Sequence, residues 1–215
     1  MKKLFILSFL VAMCLSMSAQ ITSSQTSITH RTVIEEPHAR GYFGWNSLYV
    51  EYLPFKISSA SYNGAALNYS HAFSLTQKIP LYIETGLGGQ YSFKKQDGIT
   101  THFASVKIPL NVLYEYDIPG TSISVDPFVG ARLRVNVWGE TKYNNDLFDG
   151  YGDNRSIDLF SDEVGCKRVQ VGWHAGLKIH FNKVAFIGAA YGMDFMDFSK
   201  GSKIKEVAVS LGVDF

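Results

Sequence analysis

Cysteine, proline and net charge are all scarce in this sequence. Its 215 residues include 2 cysteines and 6 prolines, and 20 basic against 19 acidic side chains leave a net charge of +1. A balanced charge argues against nucleic-acid binding, because proteins that bind nucleic acids usually carry a concentrated basic excess. Beyond the N-terminal stretch, no apolar run reaches the roughly eighteen residues that a membrane-spanning helix needs. Glycine (19) and aromatic residues (12 Tyr, 15 Phe and 3 Trp) are abundant instead, which is typical of many short strands joined by tight turns.

The start of the chain has the pattern of an export signal. Two lysines are followed by the apolar stretch LFILSFLVAMCL and by the small residues of SMSAQ, which predict cleavage after Ala19. This apolar stretch is too short to span a bilayer as a retained helix. We therefore predict that residues 1–19 are a signal peptide. Its removal takes Cys14 away and leaves Cys166 alone, so we expect no internal disulfide in the mature chain.

The rest of the chain divides into a polar segment and a patterned domain. Residues 20–38 are rich in Ser and Thr, and we predict a flexible periplasmic lead-in here, with a short strand or plug as the alternative. Residues 39–215 contain eight stretches of about ten or more residues, the length at which a tilted strand crosses a bilayer. The eight stretches are Gly41–Leu53, Gly64–Leu75, Pro80–Lys94, His102–Tyr116, Ser122–Trp138, Lys167–Phe181, Lys183–Phe195 and Lys203–Phe215.

Connections between the stretches alternate in length. Three are short (TQKI, DIPGT and NK), and the others are generally longer: PFKISSASYN, KQDGITT, the long segment at 139–165, and MDFSKGS. Such alternation is typical of outer-membrane barrels, which have short periplasmic turns and longer external loops. We therefore predict an all-β, eight-stranded, antiparallel up-and-down transmembrane β-barrel over residues 39–215.

Apolar and polar residues alternate in the third, fourth, fifth, sixth and eighth stretches, so each strand has two different faces. In the first, second and seventh stretches, the alternation is too weak to tell the apolar face from the polar face. In the last stretch, the apolar face consists of Val207, Val209, Leu211, Val213 and Phe215. The polar faces carry nearly balanced charges, namely Lys107, Arg132, Arg134, Arg168 and Lys178 against Glu84, Glu115, Glu206 and Asp214, with Glu51 and Asp194 as further candidates.

Three features predict that the apolar faces point to lipid and the charges point inward. The last stretch ends on Phe215, which resembles the recognition signal of outer-membrane barrels. Glycines on the polar faces, such as Gly86, Gly130 and Gly172, leave room for long charged side chains inside a narrow cylinder. Aromatic residues gather near both ends of the predicted strands, as they do at membrane interfaces. A soluble secreted lipocalin-like barrel that binds an apolar ligand is the alternative, and it requires the apolar faces to point inward.

Three motifs carry a resemblance to a known family. VKIPLNVLYEY (Val106–Tyr116), GARLRVNVW (Gly130–Trp138) and the closing VSLGVDF together resemble the outer membrane protein beta-barrel domain family. The resemblance covers roughly Arg40 to Phe215 and implies a small eight-stranded barrel, similar in architecture to OmpX and the OmpA barrel, in the outer membrane of a Gram-negative cell. It implies fold and location rather than activity, because fold does not fix function.

Chemistry inside the barrel is predicted to be structural. An eight-stranded cylinder is just wide enough to be filled by its own side chains, so we expect a filled, non-porin interior. His174 and His180 share a face with Lys178, but no nucleophile accompanies them, and we predict no enzyme, no catalytic residue and no cofactor. The charged residues expected to form an internal ion-pair network are Lys107, Arg132, Glu84 and Glu115.

The acidic segment 139–165 is the predicted place of contact with a partner. Its core, NNDLFDGYGDN, is rich in oxygen ligands but lacks the regular spacing of a calcium-binding loop, so we predict a solvated loop without a metal site. Its aromatic residues favour contact with a surface protein or polysaccharide, because loops on rigid scaffolds commonly carry function.

The predicted function is therefore an outer-membrane barrel with a structural or surface-interaction role. Its expected partners are the lipid bilayer, the barrel-assembly machinery and the ligand of segment 139–165. Besides the lipocalin-like reading, one alternative from another class stays open. It is a membrane subunit of a secretion or assembly machine, in which residues 20–38 dock a periplasmic partner.

Overall fold

The computed structural model describes residues 44–76, 79–96, 98–143, 156–162, 164–199 and 201–215. These residues belong to one compact unit that spans 38–215. Within the described ranges, no helix has the length and apolar character to span a membrane. The signal peptide predicted at 1–19 and the lead-in predicted at 20–38 lie outside the described residues and stay predictions.

Eight long strands pair in an antiparallel order that follows the chain, and the first strand also pairs with the last. They are β1 (Trp45–Tyr52), β2 (Ala60–Ser74), β3 (Leu81–Gln96), β4 (Ile99–Tyr114), β5 (Ile123–Tyr143), β6 (Val169–Phe181), β7 (Ala185–Asp194) and β8 (Ile204–Asp214). Tyr52 of β1 lies opposite Val209 of β8, and this last pairing closes the sheet into a ring. The predicted eight-stranded antiparallel barrel is confirmed.

Three short segments extend the barrel strands. Phe55–Ile57 continues β1 beyond Pro54 and pairs with both β2 and β8. Tyr116–Asp117 continues β4, and Ser156–Asp158 pairs with Glu140–Lys142 near the end of β5. The strands are therefore longer than the hydrophobic pattern alone indicates.

The connections lie at two rims. At the turn rim, β2 joins β3, β4 joins β5, and β6 joins β7. At the loop rim, the other four connections join β1 to β2, β3 to β4, β5 to β6, and β7 to β8. Asn182 and Lys183 link β6 to β7 with positive φ values of 53° and 56°. Two consecutive residues of this conformation form the tight turn that matches the twist of a hairpin.

Two connections at the loop rim are tighter than the sequence predicted. Strands run through most of PFKISSASYN and KQDGITT, and turns at Ser58 and Gly98, with φ of 55° and 74°, are what remains. The prediction of longer loops is wrong at these two places. Polar residues beyond the hydrophobic stretch still pair through backbone hydrogen bonds, so the strands continue past the point where the apolar pattern stops.

Side-chain burial alternates along the strands in the sense predicted. On β8, Val209, Leu211 and Phe215 are 53%, 60% and 61% exposed on the outside, whereas Glu206 and Asp214 are buried inside. The ambiguous strands follow the same rule. Trp45, Ser47 and Tyr49 of β1, Asn68, Ser70 and Ala72 of β2, and Phe186 and Asp194 of β7 are the buried members of these strands.

Apolar side chains close the barrel interior near both rims. The loop-rim cluster consists of Phe55, Ile57, Phe103, Phe198 and Ile204, with Tyr62, Leu159, Phe160 and Cys166 packed against it. The turn-rim cluster consists of Trp45, Ala72, Tyr82 and Leu113, with Phe128 packed against it. The space between the two clusters is lined mainly by polar and charged side chains.

Candidate functional site

The candidate site is the charged interior between the two apolar clusters. Each charged side chain comes from an alternate position of a barrel strand, and glycines on the inner face make room for it. A Cβ atom at Gly172 would lie 2.6 Å from Asp194 Oδ1, and one at Gly192 would lie 3.3 Å from a guanidinium nitrogen of Arg132. The buried charged residues are Glu84, Lys107, Glu115, Asp126, Arg132, Arg134, Lys178, Asp194, Glu206 and Asp214.

Arg132, Arg134, Asp194 and Glu206 form a four-residue ion cluster below the loop-rim cluster. Arg132 and Arg134 each donate to Glu206, and they also reach the two oxygens of Asp194 at 3.3 Å and 3.1 Å. All four side chains are at most 6% exposed. Two cations face two carboxylates, which is the balance that a buried charge needs. Since β5 is separated from β8 by two strands, these contacts cross the lumen.

Two more ion pairs cross the middle of the lumen. Lys107 of β4 reaches Glu51 of β1 at 2.7 Å, and the Asn68 amide donates to the same carboxylate at 3.0 Å. Lys178 of β6 reaches both oxygens of Glu84 of β3 at 2.8 Å. These contacts confirm the predicted ion-pair network for Lys107, Arg132 and Glu84. They also confirm that the additional candidates Glu51 and Asp194 belong to it. Glu115 lies near the turn rim instead, where it accepts from the Tyr82 hydroxyl at 3.2 Å and is 3.8 Å from the Lys183 ammonium.

Lys178 lies within an aromatic environment as well. Its ammonium is 5.1–5.7 Å from the ring centres of Tyr49, Phe128 and Phe186. Rings at this distance attract a cation through their quadrupole. The cation is thus held by one carboxylate and three rings, which favours a fixed structural role.

His180 lies between two carboxylates near the turn rim. Its ring nitrogens are 2.9 Å from Asp126 and 2.8 Å from Asp214, and the Ser47 hydroxyl donates to Asp214 at 2.7 Å. The serine therefore contacts the carboxylate and not the imidazole, so it lacks the contact that would activate a nucleophile. His174 contacts the Asn111 side chain. Both histidines make structural contacts of the kind predicted.

The charged side chains line a small cavity. A cavity of about 60 Å³ remains in the middle of the barrel, and its lining includes Glu51, Asn111, His174 and Glu206. A water molecule needs at least about 10–15 Å³ on the same measure, so this space has room for a few water molecules. Apolar clusters lie beyond it on both sides.

The outer surface is the reverse of the interior. Leucine, valine and isoleucine side chains that are 39–60% exposed cover the outside of the strands, among them Leu67, Leu110, Ile187 and Leu211. Aromatic side chains accompany them near the rims: Tyr52, Tyr91, Phe93, Trp138 and Phe195 towards the loop rim, and Phe73, Tyr114, Tyr116 and Phe181 towards the turn rim.

A closed barrel with an apolar outside, aromatic girdles and a polar inside has the architecture that a lipid bilayer requires. This chain has the fold of a small outer-membrane β-barrel. The apolar faces point outward, so the lipocalin-like alternative is wrong.

Comparisons with solved structures find barrels of the same kind. Neisserial surface protein A is 15% identical, with a TM-score of 0.45 and coverage of 80% of this chain and 96% of that chain. Ail, the attachment invasion locus protein of Yersinia pestis, is 15% identical, with a TM-score of 0.46 and coverage of 80% and 99%. The outer membrane enzyme PagL is 10% identical, with a TM-score of 0.49 and coverage of 78% and 98%. No family model and no curated protein matches the chain.

One predicted interior residue lies elsewhere. Arg168 is exposed, with its guanidinium 4.8 Å from the centre of the Phe160 ring and 3.4 Å from the Val137 carbonyl. It precedes the start of β6, so the alternation that places Gln170 inside no longer applies to it. Sequence reasoning also missed Asn111, Ser47 and Tyr82 as partners of buried charges, because a polar residue on an inner face does not reveal which opposite strand it meets.

Most of the acidic segment lies outside the described residues. Its described parts are 139–143, 156–162, 164 and 165. The predicted absence of a calcium site in NNDLFDGYGDN stays a prediction, since residues 144–155 are outside these parts. The part that follows folds towards the barrel, where Leu159 and Phe160 pack against the loop-rim cluster.

Proposed function

We propose that this protein is a closed, non-conducting outer-membrane barrel that presents the segment 139–165 outside the cell as an interaction surface for a protein or polysaccharide. The observation that carries the proposal is the filled interior. Ion pairs cross the lumen from several strands, and the cavity that they line in the middle of the barrel measures about 60 Å³. A barrel that transports nothing through its interior exerts its function through its surfaces, and segment 139–165 is its longest predicted connection.

The base of segment 139–165 supports this role. Glu140–Lys142 pairs with Ser156–Asp158, and the Ser156 hydroxyl donates to Glu140. Leu159 and Phe160 then anchor the chain on the loop-rim cluster. The segment thus starts and returns on fixed backbone, as binding loops on rigid scaffolds do.

We also infer that the role is not catalytic and that the chain inserts through the barrel-assembly machinery. Buried histidines that contact Asn111, Asp126 and Asp214 support the first inference, because a substrate has no access to them. The exposed apolar face of β8, together with the exposed Phe215 directly after this strand, supports the second. The alternative role as a secretion subunit depends on residues 20–38 and stays a prediction.

Conductance and surface exposure test the proposal. The purified protein should give no channel current in a planar lipid bilayer, and an epitope inserted at Gly150 should be labelled by antibody on intact cells. A variant in which residues 144–155 are replaced by a short Gly-Ser linker is the control for the barrel. It should migrate in unboiled gels as the wild type does, because the described strands on either side end at Tyr143 and begin again at Ser156. Steady open-channel current, or an epitope that is labelled only after lysis, contradicts the proposal.

A further inference from the structure

Four lysines lie on the outside of the barrel near the loop rim, at one level of the sheet. Lys205 of β8 is directly opposite Lys56, and Lys56 is opposite Ser61 of β2. On the other side of β2, Lys95 of β3 lies opposite Thr100 of β4, and Thr100 lies opposite Lys142 of β5. The four lysines with Ser61 and Thr100 between them are called the outer lysine row below.

The two halves of the row belong together. The pairing of β2 with β3 reaches Asn63 opposite Phe93. Ser61 and Lys95 each lie two residues beyond that pair in the direction of the loop rim, so they share its outward face. Neighbouring strands are about 4.8 Å apart. The row therefore follows the barrel circumference across adjacent strands, in the order Lys205, Lys56, Ser61, Lys95, Thr100 and Lys142.

The row is short of negative charge. Lys56, Lys95 and Lys205 are exposed, and no carboxylate among the described residues lies within ion-pair distance of them. Lys142 has Glu140 at 3.7 Å, with the Lys142 side chain 61% exposed. Like charges directly opposite each other on paired strands are destabilising. The pairing of Lys56 with Lys205 is thus unfavourable unless an anion outside the chain neutralises it.

The depth of the row matches the level of lipid headgroups. On β3 the outward residues run Tyr91, Phe93 and Lys95 towards the loop rim, with the two rings 47% and 45% exposed. On β1 the outward Tyr52 is followed by Lys56 beyond Pro54. Exposed aromatic rings mark the boundary of the acyl region. Lysines one step beyond this boundary lie where phosphate groups are located.

We propose that the outer lysine row binds phosphate groups of anionic lipid headgroups in the leaflet at the loop rim. Ammonium groups supply the charge, and the Ser61 and Thr100 hydroxyls supply donors between them. Lysine near an anionic membrane surface gains about 1 kcal/mol of binding free energy, which is about a fivefold change in affinity. Each lysine that is removed should therefore lower the affinity for anionic lipid by about that factor.

The test uses the full chain in vesicles of phosphatidylcholine with and without phosphatidic acid. The variant K56Q/K95Q/K142Q/K205Q is compared with the charge-retaining K56R/K95R/K142R/K205R and with the wild type. Readouts are the temperature at which the fast-migrating unboiled form is lost and the number of retained lipids by native mass spectrometry. Phosphatidic acid should raise this temperature for the wild type and the arginine variant, less so at high salt. It should leave the glutamine variant unchanged.

Several results would overturn the proposal. One is an equal gain from phosphatidic acid in the glutamine variant, and another is the loss of that gain in the arginine variant. A gain of the same size from inorganic phosphate in phosphatidylcholine vesicles would show a site for free anions and not for lipid. If the fourfold variant fails to fold, K56Q/K205Q and K95Q/K142Q should each lose part of the gain. Two folded double variants with the full gain would contradict the lipid site.

Discussion

Removal of both Arg134 and Glu206 from the four-residue ion cluster should destabilise the barrel by less than the sum of the two single removals. In the wild type, two guanidinium groups face the carboxylates of Asp194 and Glu206. Arg134→Leu leaves Arg132 to neutralise both. Arg134 and Glu206 are 1% and 2% exposed, so bulk water does not reach the group that loses its partner. The change therefore leaves a buried charge without compensation.

The expected magnitudes follow from this charge count. Loss of one partner of a buried ion pair costs about 3–5 kcal/mol, and this range applies to Arg134→Leu and to Glu206→Leu alike. The double variant keeps Arg132 at 3.3 Å from Asp194 and keeps one charge of each sign. Its cost should therefore be lower than the sum of the two single costs, by about 2–3 kcal/mol.

Urea unfolding in lipid vesicles, followed by tryptophan fluorescence and by unboiled gel mobility, gives the free energies for this double-mutant cycle. Arg168→Leu is the matched control, because its guanidinium is exposed over the Phe160 ring. Its cost should be no more than about 1 kcal/mol. If the two single costs simply add in the double variant, or if Arg134→Leu costs no more than Arg168→Leu, the reasoning about buried charge balance is refuted.

Three further predictions concern the outer surface and the loop rim. Val209 is 53% exposed on the outer face of β8, so Val209→Arg should cost about 2–4 kcal/mol of stability in a bilayer. Ser210→Ala should change the stability very little, and equal stabilities of the two variants in urea unfolding would contradict the outward assignment. Deletion of Phe215 should lower the amount of barrel in the outer membrane, because its backbone forms two 2.9 Å hydrogen bonds with Asn46 where β8 meets β1. Unchanged protein levels in membrane fractions would contradict a role of Phe215 in assembly. Burial raises the pKa of the Cys166 thiol, so maleimide should label it more slowly than a free thiol near neutral pH. The labelling rate should increase as the pH rises towards the raised pKa, and a rate equal to that of a small-molecule thiol would disagree with the packing of Cys166.

The fold was predictable because its strongest signal is local. Alternation on β8, from Glu206 to Phe215, defines two faces without any knowledge of the other strands. Strand count and antiparallel order followed from the spacing of such stretches. The tight turns at Ser58 and Gly98 were missed for the same reason, since residues such as Lys56 and Lys95 continue the ladder without continuing the apolar pattern.

The interior could be predicted in composition but not in connection. Periodicity placed Lys107, Arg132 and Lys178 inside, yet it does not state that Lys107 meets Glu51 across three strand boundaries or that Lys178 meets Glu84. These partners depend on barrel closure and on the stagger between strands, which are properties of the whole sheet. For Arg168, the predicted inward orientation itself was wrong. One residue before β6, the periodicity that predicts its orientation has already ended.

The central claim is that the apolar faces contact lipid and the charged faces line a closed interior, and the tryptophans report on it directly. Trp173 lies on the outside of β6, 5.9 Å from the Tyr191 ring centre, whereas Trp45 is 7% exposed inside the turn-rim cluster. Two single-tryptophan variants, W45F/W138F and W138F/W173F, should be reconstituted in vesicles with bromine on the lipid acyl chains. Strong quenching of Trp173 with little quenching of Trp45 is the predicted result. Equal quenching of both, or stronger quenching of Trp45, would contradict the account.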